Sequence, residues 1–157
     1  MTDRDRDATG RPRNARARDA LGRPLPPGVP GETPVPDDLA LGPADTLAEA
    51  QRLLDTGRPF QAHEVLEAAW KHAPAPERDL WQGLAQLAVG LTHALRGNAT
   101  GAGRLVRRGA ARLEPYADAA PYGIDVAGLL AWAAATAGAP ERAQSPKLMA
   151  GRALPSS

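Results

Sequence analysis

Apolar residues recur at helical spacing in five stretches of the chain, and the strict alternation of a half-buried strand is nowhere sustained. Leu47, Ala50 and Leu54 make one stripe of a helix starting near Pro43, with Asp45 or Thr46 placed to cap it and Gly57 to end it beyond Thr56. A second helix is predicted from about Pro59 to His72, with Pro59 in the first turn, where its missing N–H costs nothing. Its inward residues are Ala62, Leu66, Ala69 and Trp70. Pro74 and Pro76 then break the chain. The third helix runs from about Glu77 to Arg96, with Leu80, Leu84, Leu87, Leu91 and Leu95 as one wall. The fourth spans about Thr100 to Leu113. It turns Ala102, Leu105, Val106, Gly109 and Leu113 inward and Arg104, Arg107, Arg108 and Arg112 outward to a solvated face. A fifth is predicted from Asp125 to about Ala137.

The first four helices form an internal repeat. LLDTGRPFQAHEVL, from Leu53, aligns with HALRGNATGAGRLV, from His93, so that Gly57 falls on Gly97, Ala62 on Ala102 and Leu66 on Val106 at an offset of 40 residues. Each copy reads as helix, glycine turn, helix. Two such hairpins are tetratricopeptide-like in character, though the offset exceeds that period, and two units are too few for a solenoid. The expected fold is therefore all-α: a compact bundle of about five helices, built from two helical hairpins and a closing helix. The domain is expected to span residues 44–138. Residues 1–43 are rich in proline, glycine and arginine and read either as a tail with too little apolar surface to order itself or as an arm docked on the domain. Within them, Arg23 to Pro36 favours extended, polyproline-like backbone. Residues 139–157 are expected to form a loose C-terminal tail.

Composition narrows the function classes. With 19 basic and 18 acidic residues the net charge is +1, which argues against nucleic acid or an anionic membrane as partner. The Arg/Asp mixture of the tail (Arg4, Asp5, Arg6, Asp7, Arg16, Arg18, Asp19) is no simple basic arm. The absence of cysteine excludes disulfides, thiolate nucleophiles and cysteine metal sites. The charged start, MTDRDRDATG, is not a secretory signal, and the uncharged run from Gln82 to Leu95 is too short to span a bilayer, so a cytoplasmic location is expected. A second copy of the chain or another protein stays open as a partner.

Candidate chemistry gathers on the second and third helices. His63 and Glu67, four residues apart, lie about 40° apart on one helix face, and Trp70 extends that stripe; Glu64 points to the solvent side with Lys71. On the third helix Gln82, Gln86 and His93 share the wall opposite the leucines. The lack of charge there reads as a central helix, which makes these three buried polar groups in need of partners, with His63 and Glu67 the nearest candidates. Three readings fit the expected pocket between helices two and three. The residues form a structural network. Or His63 is a general base oriented by Glu67, with Trp70, Gln82 and Gln86 lining a ligand pocket and His93 as a further catalytic candidate. Or His63, Glu67 and His93 supply three ligands to zinc or iron. HEVLEAAW lacks both the second histidine of H-E-x-x-H and the paired Glu-x-x-His sets of di-iron bundles, so no cofactor is expected beyond that metal alternative. His72 reads as solvated or as a helix-dipole partner, and Trp81 and Trp132 as core or interface residues. There is no glycine-rich phosphate loop and no nucleophile elbow.

The stretches GRPFQAHEVLEAAW and ERDLWQGLAQLAVGLTHALRGNATGA resemble the domain of unknown function 309 family, over about Ala44 to Leu113. The motif is H-E-x-x-E-x-x-W, then Q-G-L-x-Q-L, then a histidine before R-G-N. Its signature positions fall on His63, Glu64, Glu67, Trp70, Gln82, Gly83, Gln86, His93, Gly97 and Asn98. Pro59-Phe60 stands where similar sequences often have a tyrosine or phenylalanine pair. The resemblance implies a compact all-helical domain and implies no activity. The tail is similar to N-terminal extensions on actinobacterial members, which implies a docked arm. The competing functions are thus an enzyme using His63, Glu67 and His93, and a non-catalytic interaction module in which these residues are structural.

Overall fold

A computed structural model describes residues 17–36 and 39–150. Five α-helices follow one another: α1 (Pro43–Asp55), α2 (Pro59–His72), α3 (Arg78–Leu95), α4 (Ala99–Leu113) and α5 (Val126–Gly138). Each packs on the one before it, and α3 lies at the centre between α2 and α4. Among the described residues extended pairing is confined to two isolated bridges, Arg18 with Pro24 and Ile124 with Met149. The all-helical, two-hairpin reading therefore stands. No helix among the described residues is long and apolar enough to cross a membrane.

Both hairpins turn in the same way. Gly57 and Gly97 have φ of +74° and +81°, the left-handed conformation that glycine adopts without a Cβ penalty. In the first turn Gly57 N–H donates to Leu54 and Arg58 N–H to Leu53; in the second Gly97 N–H donates to Ala94 and Asn98 N–H to His93. That pair of bonds satisfies the last carbonyls of the outgoing helix. The repeat extends into the core, where Ala62 and Ala102, and Leu66 and Val106, are all fully buried.

The α3–α4 contact is the tightest in the bundle. A Cβ on Gly109 would lie 2.8 Å from the Gly83 carbonyl oxygen, and one on Gly90 would lie 2.5 Å from a Val106 methyl, so these helices approach backbone to backbone. The central core is leucine: Leu47, Leu54, Leu66, Leu80, Leu84, Leu87 and Leu91 are all shielded from solvent.

Several expectations are corrected. Neither Asp45 nor Thr46 caps α1: Gly42 stands at that position without a side-chain cap, and buried Thr46 turns its hydroxyl to the Leu41 carbonyl at 3.4 Å. Helix α3 begins at Arg78, after a 3-10 turn at Ala75–Glu77, and Leu95, its last residue, is exposed and leaves the leucine wall. Arg112 leaves the solvated arginine face, donating to Gln86 Oε1 at 3.2 Å and to Asp79 Oδ1 at 2.7 Å.

The largest departure lies after Gly138. Residues 139–150 return across the bundle instead of forming a loose tail. Leu148 is 1% exposed within the core. Leu148 N–H donates to Gln51 Oε1 at 2.8 Å, Ser145 Oγ to the Leu54 carbonyl at 2.6 Å, and Lys147 pairs with Asp55 at 3.0 Å. The backbone meets the approach to α5 through Asp125 N–H to the Leu148 carbonyl, and Trp132 Nε1 donates to the Gln144 carbonyl. At the other end, Glu32 pairs with Arg58 and the Thr33 carbonyl accepts from Gln61 at the start of α2. The Arg/Asp pattern of residues 4–16 falls outside the described residues.

Candidate functional site

His63 and Glu67 meet, as helical spacing requires. Nε2 lies 2.8 Å from Glu67 Oε2, while Lys71 stands 3.7 Å from the other carboxylate oxygen. Nδ1 faces the Phe60 carbonyl at 3.3 Å, and the Phe60 and His63 rings pack at 5.4 Å. Both ring nitrogens are therefore engaged by groups of the same helix. The adjoining cavity, about 160 Å³, lies between α2 and the arm; Val35 and Pro36 form one wall, Phe60, His63, Glu64 and Glu67 another. Trp70, Gln82, Gln86 and His93 do not line it. Trp70 is instead half-buried against the core.

On α3, Gln82, Gln86, Val89 and His93 form the only half-exposed stripe between Leu80 and Ala94; every other residue there is buried. The uncharged wall is thus an open edge, and the expectation of fully buried polar groups is corrected. Gln86 finds its partner on α4, in Arg112. His93 finds one five residues along its own chain: Asn98 Nδ2 donates to His93 Nδ1 at 3.0 Å. The same amide turns its Oδ1 to Gly101 N–H at 3.0 Å and caps α4. His93 is thus a positioning residue for a helix cap. Its pKa is lowered by desolvation, and next by the nearby Arg96 charge. The three-ligand alternative of His63, Glu67 and His93 is not brought together: His93 bonds Asn98, away from the His63–Glu67 pair. Among the described residues no group of three or more His, Cys, Asp or Glu side chains is placed to hold a metal ion.

Two residues that the sequence did not single out join the picture here. Arg58 Nε lies 2.8 Å from Glu32 Oε2, and the buried amide of Gln61 donates to the Thr33 carbonyl. Gln61 sits two residues from His63, and nothing in its spacing marks it, because its partner is a backbone atom 28 residues away. Val35 and Leu39 continue the arm onto the core.

Fold and site together define an all-helical, two-hairpin domain. Residues 47–105 match the model of a family described as Domain of unknown function (DUF309). That stretch lies within the one on which the sequence resemblance rested. The chain is also similar to the Uncharacterized protein YpuF of Bacillus subtilis (strain 168), 48% identical over 48 residues, 30% of this chain. The aligned stretch spans 28% of that protein's length. No solved structure matches the chain.

Proposed function

We propose that this domain works by binding, as an interaction module whose α1–α2 face holds an extended, proline-containing segment, supplied here by residues 32–36 of its own arm. One observation above all supports this reading: a buried glutamine on α2 hydrogen-bonds the main chain of that segment. Main-chain recognition tolerates many sequences, and Pro34 and Pro36 hold the strand extended at reduced entropic cost. Arg58 adds charge recognition through Glu32. His63 and Glu67 brace α2 beneath it, and the small cavity beside them is well under the ~300–1,000 Å³ of ordinary ligand sites.

The test is a chain starting at residue 39, checked for native helix content, titrated with a peptide of residues 29–38. Saturable binding that Gln61→Ala abolishes and His63→Ala weakens less than threefold is expected. A native-like truncated chain that ignores the peptide overturns the reading.

A further inference from the structure

A second cavity, about 380 Å³, opens where the approach to α1, the C-terminal half of α2 and the start of α3 converge. Leu39, Leu41, Val65, Ala69 and Trp81 give it apolar walls. Its charge comes from Glu77. The Trp81 indole N–H and the Tyr122 hydroxyl both donate to Glu77 Oε1, at 3.2 and 2.8 Å. Among the described residues no hydrogen bond reaches Oε2. The Trp81 and Tyr122 rings lie 6.0 Å apart beside this carboxylate. Among the described residues no lysine or arginine lines the cavity; His72 and Tyr122 are the other titratable groups on its wall.

Tyr122 is held there against backbone preference. Its φ is +57° and that of Ala120 is +41°, a conformation that costs a residue with a Cβ. Tyr122 is 44% exposed, so burial alone gives this strain only a partial return. The return lies in the bond to Glu77, which is also the leading cause of the raised Tyr122 pKa.

We propose that this cavity binds a small organic ammonium ion: an amine with an apolar body, its charged head on Glu77 Oε2 and beside the Trp81 and Tyr122 rings. A carboxylate with one oxygen already fixed by two donors presents the other in a set direction. Aromatic faces attract the same head through their quadrupoles. The apolar walls take the body, and the volume is that of a small-molecule site.

The test uses the full chain and three probes of one length: n-hexylammonium, 1-hexanol and hexanoate. The readout is the indole N–H resonance of Trp81, whose proton bonds Glu77. Hexylammonium is expected to shift it saturably, with a Kd at least tenfold below that of hexanol, and hexanoate to bind no better than hexanol. Glu77→Gln should bring hexylammonium to within twofold of hexanol. Tyr122→Gly, which suits the left-handed backbone, should weaken hexylammonium at least threefold even if Glu77→Gln fails to fold. Equal Kd for ammonium and alcohol, no saturable shift with hexylammonium, or unchanged binding in both variants overturns the proposal.

Discussion

Thr56, Gly57 and Arg58 lead out of α1, and Arg96, Gly97 and Asn98 lead out of α3, through the same two backbone hydrogen bonds. At the third residue the hairpins part. Asn98 caps α4, held by His93. Arg58 stands at the matching position before α2 without a side-chain cap and reaches instead to Glu32 of the arm. The interiors differ likewise. The second hairpin closes on itself through Gly83, Gly90 and Gly109, whereas Ala69 holds the place in α2 that Gly109 holds in α4. The first hairpin is fastened from outside, by the arm on α2 and by residues 145–148 on α1. One turn thus supports two kinds of hairpin: one spends its polar residues on local structure, the other on binding segments distant in sequence.

Five changes test that contrast, from the largest effect down. Leu148→Ala removes a fully buried side chain and should cost about 2–5 kcal/mol in urea unfolding; a loss below ~1 kcal/mol would return residues 139–150 to the status of a tail. Gly109→Ala drives a methyl against the Gly83 carbonyl and should cost about 1–3 kcal/mol. Ala69→Gly, its counterpart, should relieve no clash and cost only the ~1 kcal/mol of helix propensity. Asn98→Ala deletes a cap and should lower stability by about 1 kcal/mol. Arg58→Asn should give α2 the cap that α4 has, nearly offsetting the lost ion pair of about 0–1 kcal/mol, while exchange of the Glu32 amide, bonded to the Arg18 carbonyl, rises. Unchanged exchange there would detach Arg58 from arm docking.

The smallest effect is one of pH. Folded His93 takes up a proton less readily than the unfolded chain, so its contribution is intact above the ordinary histidine value of about 6.5 and declines as pH falls through that value toward the lowered one. Protonation of Nδ1 also removes the acceptor for Asn98. The stability of native protein should therefore fall more between pH 7 and 5 than that of His93→Gln. Parallel profiles would mean that His93 does not couple to the cap.

Much of this was legible in the sequence. Periodicity gave five helices to within a few residues, because their stripes are apolar and their stops are glycine or proline. The 40-residue offset is visible because both turns need a left-handed residue at the same point. The His63–Glu67 pair follows from helix geometry alone. Partners across elements were not legible. A helical wheel shows that Gln86 and His93 share an edge, but not that Arg112 and Asn98 meet them there. Leu148 has only Met149 beside it as a large apolar residue, with no period to mark which of the two is core. Gln61 recognises a carbonyl, which every residue has.

Because segments from both sides of the helical core fasten to its outside, a pull applied between residues 17 and 150 falls on those outer attachments. Arg58–Glu32 and Gln61–Thr33 bear it on one side, and Gly123–Ala150, Asp125–Leu148, Gln51–Leu148 and Leu54–Ser145 on the other. These bonds break before the α3–α4 pair feels any load, so the protein is expected to lengthen in two stages under tension, with the glycine-packed hairpin yielding last.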